Sequence, residues 1–267
     1  MNESEYITMY HAEDTHWWYV SLHNLILRSI PHNSRPLAIY DAGCGTGRLL
    51  QLLSDHGTGK GCDASEAAVR FCQKRGLTTV VHADLNTMTL EKDRYDVITS
   101  IDVLYHANIG DERAVLQKMY DALKSGGVLI LQVPAYEWLR SNHDRAVHTR
   151  RRYLRPEVVA MLRDSGFIIE KATYRLAFLL PPIAMIRLGQ RFLRRKGGRT
   201  NPVSDVTRPP NAVNALLRAV MSMENLLLKR ASFPFGTSVF AVARKPDRIL
   251  RRTAKRSGNE HSTGTSA

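Results

Sequence analysis

Between positions 37 and 48 the chain runs Leu-Ala-Ile-Tyr-Asp41-Ala-Gly43-Cys44-Gly45-Thr46-Gly47-Arg48, a short apolar stretch that meets an acid and then three glycines at alternate positions. The apolar run has the length of a buried strand, with Pro36 before it and glycines after it as punctuation. Glycine at 43, 45 and 47 lets the backbone turn sharply and approach a ligand closely, since no Cβ stands in the way. Leu49 to Leu53 then opens a helix whose first N–H groups face the turn. A dinucleotide site would want G-x-G-x-x-G, and from either Gly43 or Gly45 the third glycine of that pattern is missing. The remaining readings are a different ligand-binding turn or a tight strand–helix turn that holds no ligand.

The pattern repeats downstream. Gly59–Asp63 reads as a short strand ending in an acid, 64–75 as a helix closed by Gly76, and Thr78–Asp84 as a β-branched strand ending in a second acid. Tyr95–Asp102 follows as a strand, Asp111–Leu123 as a helix, and Val128–Val133 as an apolar fifth strand stopped by Pro134. Leu154–Asp164 reads as a helix, Phe167–Glu170 as a sixth strand and Gly236–Ala243 as the last. Strands alternating with helices imply βαβ units, right-handed crossovers and a mainly parallel sheet. In such a sheet the ligand lies beyond the carboxyl ends of the strands, where all the acids just named fall. Asp63, about twenty residues after the glycine turn, is placed to meet ribose hydroxyls, and Asp84 to meet an adenine amino group.

With these acids the chain resembles the class I S-adenosylmethionine (SAM)-dependent methyltransferases over about residues 37–172 and 236–245. Asp41–Gly47 is similar to their first motif. Asp63 in Gly-Cys-Asp-Ala64-Ser, Asp84 before Leu85, and Ser100-Ile-Asp102-Val-Leu-Tyr105-His106 resemble the second, third and fourth. Lys124-Ser125-Gly126-Gly127 resembles the turn before their fifth strand, with serine where proline is usual. The resemblance implies a three-layer α/β fold, a doubly wound, seven-stranded, mostly parallel sheet, and SAM as cofactor. The cofactor-binding residues it implies are Asp41, Gly43, Cys44, Gly45, Gly47, Asp63, Ala64, Asp84, Leu85 and Asp102. Gly43 and Gly45 would hold the methionine part, Asp63 the ribose, and Asp84 with Leu85 the adenine.

Residues 134–156 hold the densest polar cluster. The order His143-Asp144-x-x-x-His148-x-x-Arg151-Arg152-Tyr153 resembles a stretch after the fifth strand in a subset of these enzymes, with Val147 in place of their glycine. An imidazole can accept a proton from a hydroxyl acceptor, and a neighbouring carboxylate can orient it. His143 is therefore the first candidate base, with Asp144 beside it, and His106 the second. Consecutive arginines 150–152 can grip a phosphate or carboxylate. Tyr105, Tyr136, His148, Arg151, Arg152, Tyr153 and Trp18 are expected to meet the acceptor. Two blander readings stay open: a solvated basic loop, or a metal site of His143, Asp144 and His148, although no fourth ligand lies near them in sequence and none is expected.

Residues 1–35 read as an amphipathic helical lid, with Trp17 and Trp18 either covering a pocket or packing the helix on the sheet. The catalytic domain is expected to span 36–174 and 236–246. Between them, residues 175–235 form an insert before the last strand. It opens with an apolar run, 176–186, too short to span a bilayer, followed by Arg187, Arg191, Arg194, Arg195, Lys196 and Arg199. A second amphipathic helix, 211–230, carries Val213, Leu216, Leu217, Val220, Met221, Leu227 and Leu228 on one side. Residues 247–267 read as a disordered basic tail.

Charge bears on partners. Residues 1–139 carry 12 Lys+Arg against 17 Asp+Glu, while 140–267 carry 26 against 8, so the whole +13 excess lies in the second half. With apolar helices beside it, that excess fits an anionic membrane surface; a soluble substrate cap and a dimer interface are the other readings. No nucleic-acid module is present, so no nucleic-acid partner is expected. Three cysteines outside C-x-x-C spacing and an N-terminus without a basic-then-apolar leader fit a cytoplasmic protein, at most peripheral on a membrane. The expected activity is methyl transfer to a hydrophobic or lipid-linked acceptor. Transfer to a soluble natural product under a lid is the alternative.

Overall fold

The structure, a computed structural model, describes residues 3–194 and 209–247. The expected basic tail from 248 on, and Arg195, Lys196 and Arg199, lie outside the described residues. The chain order is α1 (Glu3–Ala12), α2 (Trp17–Ser29), β1 (Leu37–Ala42), α3 (Arg48–Leu53), β2 (Gly57–Asp63), α4 (Glu66–Lys74), β3 (Val80–His82), β4 (Tyr95–Ile101), α5 (Glu112–Ala122), β5 (Leu123–Pro134), α6 (Asn142–Ala146), α7 (Arg155–Asp164), β6 (Ile168–Arg175), α8 (Leu180–Arg194), α9 (Asn211–Leu227) and β7 (Ser238–Arg244). The seven strands form one sheet in the order β3-β2-β1-β4-β5-β7-β6. Six run in one direction, and β7 runs antiparallel between β5 and β6. This is the expected doubly wound α/β architecture.

Strand β1 sits in the middle and is buried on both sides, as its apolar run requires. Leu37 and Ile39 face a cluster with Leu22, Leu25 and Ile26 of α2, Leu49 and Leu53 of α3, and Leu228. Tyr40 and Ala42 face the opposite cluster with Val115, Leu116 and Met119 of α5 and Val158 and Leu162 of α7. Because β-strand side chains alternate, one strand thus joins both helical layers. The order reverses between β1 and β4, which opens the ligand crevice at the ends of β1, β2 and β4.

Several boundaries differ from the sequence reading. The N-terminal segment is two helices, because Glu13 turns inward and His16 caps α2 by accepting a hydrogen bond from Trp18 N at 3.3 Å. Strand β5 starts at Leu123 instead of 128, pairing Leu123 with Tyr95 before a bulge that absorbs Gly126 and Gly127. The insert does lie before the last strand, and α9 packs on α2: Asn214 Oδ1 accepts from Trp17 N at 2.9 Å, and Asn225 Nδ2 donates to Ser21 O at 2.7 Å. The segments read as lid and insert are therefore neighbours. All three cysteines are buried and free.

Candidate active site

The glycine turn, the strand-end acids and α1 enclose one end of a cavity of about 630 Å3. That volume is in the usual range for small-molecule sites, about 300–1,000 Å3. Gly43 adopts φ +83°, and a Cβ there would come within 2.4 Å of Val103 Cγ2, so the turn passes too close to the β4 exit for any side chain. Asp41, Gly43, Cys44, Gly45, Asp63, Ala64, Asp84, Leu85 and Asp102 all border the cavity. Gly47 does not; it is the left-handed N-cap of α3, and a Cβ there would strike Cys72 Sγ at 2.8 Å.

Each acid is held by short-range donors. Asp63 accepts from Gly45 N and Ser65 N at 2.9 Å each, and Tyr6 Oη of α1 donates to it at 3.3 Å. Asp84 Oδ1 accepts from Asn86 N at 2.8 Å and Asn86 Nδ2 at 2.6 Å. Thr99 Oγ1 donates to Asp41 Oδ1 at 2.6 Å, and Gln132 Nε2 to Asp102 Oδ2 at 2.8 Å, with Asp102 itself at φ +53°. A non-glycine residue in that left-handed region stores strain, as functional sites often do.

The electrostatics share one sign. Burial lifts Asp41 to about 7 against the pull of the Thr99 hydrogen bond, lifts Asp102 to about 6, and raises Asp63. Glu13, clamped by Thr46 Oγ1 and by Arg75 Nη2 at 2.6 Å, is also lifted by burial, to about 7. Carboxyls desolvated in this way are stabilised as anions by a cation placed among them. A cationic ligand lowers their pKa on binding, so protons leave and affinity climbs as pH passes upward through about 6 to 7. SAM affinity is therefore expected to increase from pH 6 to pH 8 by up to about tenfold for one coupled proton. Titration calorimetry in buffers of different ionisation enthalpy checks this, and Asp41→Asn should flatten the profile.

At the other end the cavity meets His16, Trp17, Trp18, Tyr19, Tyr105 and His106, with Leu139, His143, Asp144, Val147, Thr149 and Arg152. His143 sits on α6 in that wall. Asp144 accepts from Arg152 Nε at 2.8 Å, Arg152 Nη2 at 3.1 Å and Ser141 N at 2.7 Å, and the charge of His143 helps to lower its pKa. The carboxylate thus caps α6 and anchors Arg152 beside His143. His106 Nδ1 accepts from Asn108 N at 3.2 Å, which puts the ring proton of the neutral form on Nε2. Burial lowers its pKa to about 4, so the ring is neutral at neutral pH and a poor base.

Four residues expected to meet the acceptor are placed otherwise. Tyr153 is fully buried in the core, its hydroxyl 3.0 Å from Leu104 O and 2.9 Å from Glu112 Oε1. Tyr136 stacks on Tyr174 with centroids 5.1 Å apart, and His148 stacks on His106 at 5.7 Å; neither borders the cavity. Arg151 lies over the Tyr153 ring at 4.3 Å and pairs with Glu157 at 3.6 Å. Arg150 pairs with Glu112. The three arginines are therefore shared out among three acids and brace the loop. Among the described residues no group of three or more His, Cys, Asp or Glu is arranged to hold a metal. Trp18, Tyr105 and Arg152 do border the cavity.

Sequence reasoning missed Tyr6 and Met9 of α1, Glu13 just after it, His23 of α2, and Ile183 and Arg187 of α8, all in the wall. Burial lowers His23 to about 3, so it is neutral. The only sequence signal for α1 was its place beside the tryptophans, and helical periodicity does not tell which turn meets a distant carboxylate.

Residues 39–127 match the family model described as a methyltransferase domain. Over 164 residues the chain is 24% identical to a probable S-adenosylmethionine-dependent methyltransferase of Mycolicibacterium smegmatis, covering 60% of this chain and 62% of the relative. Over 146 residues it is 23% identical to a ubiquinone biosynthesis O-methyltransferase of Coxiella burnetii, covering 48% and 62%. The chain thus spans less than two thirds of the length of these relatives. Among solved structures it is similar to phosphoethanolamine N-methyltransferase 2 of Haemonchus contortus, determined with S-adenosylhomocysteine, with a TM-score of 0.54 at 18% identity over 85% of this chain and 52% of that one. A likeness at that identity bears on fold alone.

Proposed function

The chain belongs to the class I SAM-dependent methyltransferases, and from that premise we propose that it transfers the methyl group of SAM to a hydroxyl of a hydrophobic or lipid-linked small molecule, at a membrane surface. The observation that carries this reading is one continuous cavity, with buried carboxyls at the glycine-turn end and aromatic rings, histidines and an apolar wall at the other. The first end fits a cationic nucleoside. Gly43 and Gly45 leave room for its amino-acid part, Asp63 stands where ribose hydroxyls would fall, and Asp84 with Leu85 borders the base.

SAM supplies an electrophilic methyl on a sulfonium, so the protein's work is alignment and exclusion of water. Trp17, Trp18, Tyr19 and Leu22 would pack an apolar acceptor, while Tyr105 and the Nε2–H of His106 offer polar contacts. His143 would take the hydroxyl proton on an imidazole nitrogen, a step that general-base catalysis makes about 10²–10⁴-fold faster. The likeness to a ubiquinone biosynthesis O-methyltransferase supports a hydroxyl acceptor. Ile183 and Arg187 of α8 in the cavity wall equally suit the soluble-acceptor version, in which the insert is a lid.

Transfer of radiolabelled methyl from SAM to a lipid extract, followed by solvent partition, tests the proposal. Label should enter the organic phase and fall at least about 100-fold in His143→Ala, with SAM affinity unchanged. Label confined to water-soluble products would defeat the lipid acceptor, and an unaffected His143→Ala would defeat the base.

A further inference from the structure

Helices α8 and α9 both turn apolar side chains outward. On α8, Ile183 and Arg187 face the cavity, while Pro181, Pro182, Met185, Ile186, Leu188 and Gly189 are exposed, Met185 by 69%. On α9, Asn214, Met221, Glu224 and Asn225 are buried, while Val213, Leu216, Met223, Leu226 and Leu227 are exposed, Leu216 by 64%. A helix meeting water carries polar residues on its outer face instead. Of the fifteen exposed large hydrophobics among the described residues, ten fall between Phe178 and Phe235, so the apolar surface is concentrated on the insert. Singly scattered apolar residues need no explanation, but a concentrated patch marks an interaction site.

Charge selects the partner. Arg218 stands exposed among the apolar residues of α9, and Lys229 and Arg230 follow its end. A two-fold dimer through this face would set like charges against each other, whereas anionic lipid head groups neutralise them and accept the apolar side chains beneath. No helix of the described residues is long and apolar enough to cross a membrane, so the contact is with the surface.

We propose that the outward faces of α8 and α9 dock the protein on an anionic bilayer surface, and that the acceptor reaches the cavity from that surface past α8. The docking stands on the helix faces alone; the entry route rests on the function proposed above. It follows from α8 presenting one side to the bilayer and Ile183 and Arg187 to the cavity.

The test is flotation of the full chain on phosphatidylcholine vesicles with and without phosphatidylglycerol, for the wild type and for Met185→Glu with Leu216→Glu. Both side chains are exposed, so folding should be unchanged, as circular dichroism and unaltered SAM affinity would show. The expected result is flotation only on the anionic vesicles, with the bound fraction falling at least about tenfold in the double variant. No flotation on anionic vesicles would overturn the docking, as would equal flotation on neutral ones. A dimer in light scattering that the double variant dissociates, without flotation, would also overturn it and assign the face to a second copy. Labelling of vesicle-borne lipid extract that persists undiminished in the double variant would overturn the entry route. Intact SAM binding throughout keeps these failures apart from failure of the methyltransferase reading.

Discussion

Asp63→Ala is expected to weaken SAM binding by about tenfold to 100-fold while leaving the protein folded. The carboxylate already accepts from Gly45 N, Ser65 N and Tyr6 Oη, so it is fixed at the mouth of the glycine turn. Its lone-pair capacity is not exhausted by three donors, and the ribose hydroxyls of a bound nucleoside would take what remains. Three donors leave about one acceptor site, and a hydrogen bond to a charged group is worth about 1.5–3 kcal/mol. At about 1.4 kcal/mol per decade that is about tenfold to 100-fold in affinity. Stability changes less, because the buried carboxyl is itself desolvated, as its raised pKa records. Calorimetry gives the affinity directly, and the SAM-induced rise in melting temperature should vanish with it. A change below about threefold would remove Asp63 from the cofactor site. Tyr6→Phe should act more weakly, since it loses one of the donors that set the carboxylate.

The glycine turn and the strand-end acids were legible because their determinants are local. Glycines at 43, 45 and 47 state a backbone conformation, and an acid closing a β-branched or apolar run states its own position at the sheet edge. The surroundings of the 134–156 cluster were not, because its residues were read without their partners. Arg150, Arg151 and Arg152 look like an anion grip until Glu112, Glu157 and Asp144 come to them in space. Tyr153 looks like a pocket aromatic until Leu104 and Glu112 enclose it. The insert shows the same limit in periodicity. The apolar side of α9 was visible, but Leu217, Met221 and Leu228 turn inward with Asn214, Glu224 and Asn225, while Val213, Leu216 and Leu227 turn out. A helical stripe gives the spacing of a face and leaves open which way a second, partly polar face is turned when both have partners.

Glu224→Ala is expected to be the most damaging single change to stability. Glu224 is fully buried; Oε1 accepts from Leu176 N at 2.6 Å and Oε2 from Phe178 N at 3.2 Å. Those bonds hold Leu176 at φ +60°, a conformation a leucine does not keep unaided. Next to it the Arg175 guanidinium is completely buried, donating from Nη2 to Ser21 Oγ at 2.6 Å, with no hydrogen-bond partner for Nε or Nη1 among the described residues. Burial lowers its pKa to about 10, and the negative charges of Glu224 and Asp102 oppose that shift. Removing Glu224 strands a buried cation and two amides, a loss of about 3–5 kcal/mol. For a chain of this size that lowers Tm by about 6–20 °C, at about 2–4 °C per kcal/mol. Adding Arg175→Met should return much of the loss, because an apolar side chain leaves no charge to compensate. Denaturant melts of the two single variants and the double give the coupling directly; a value above about 1 kcal/mol is expected. A double variant no more stable than Glu224→Ala would mean that the cation is satisfied elsewhere. Since Leu176 also borders the cavity, the folded fraction of Glu224→Ala should keep its SAM affinity and lose affinity for the acceptor, which places the strained turn in the acceptor wall.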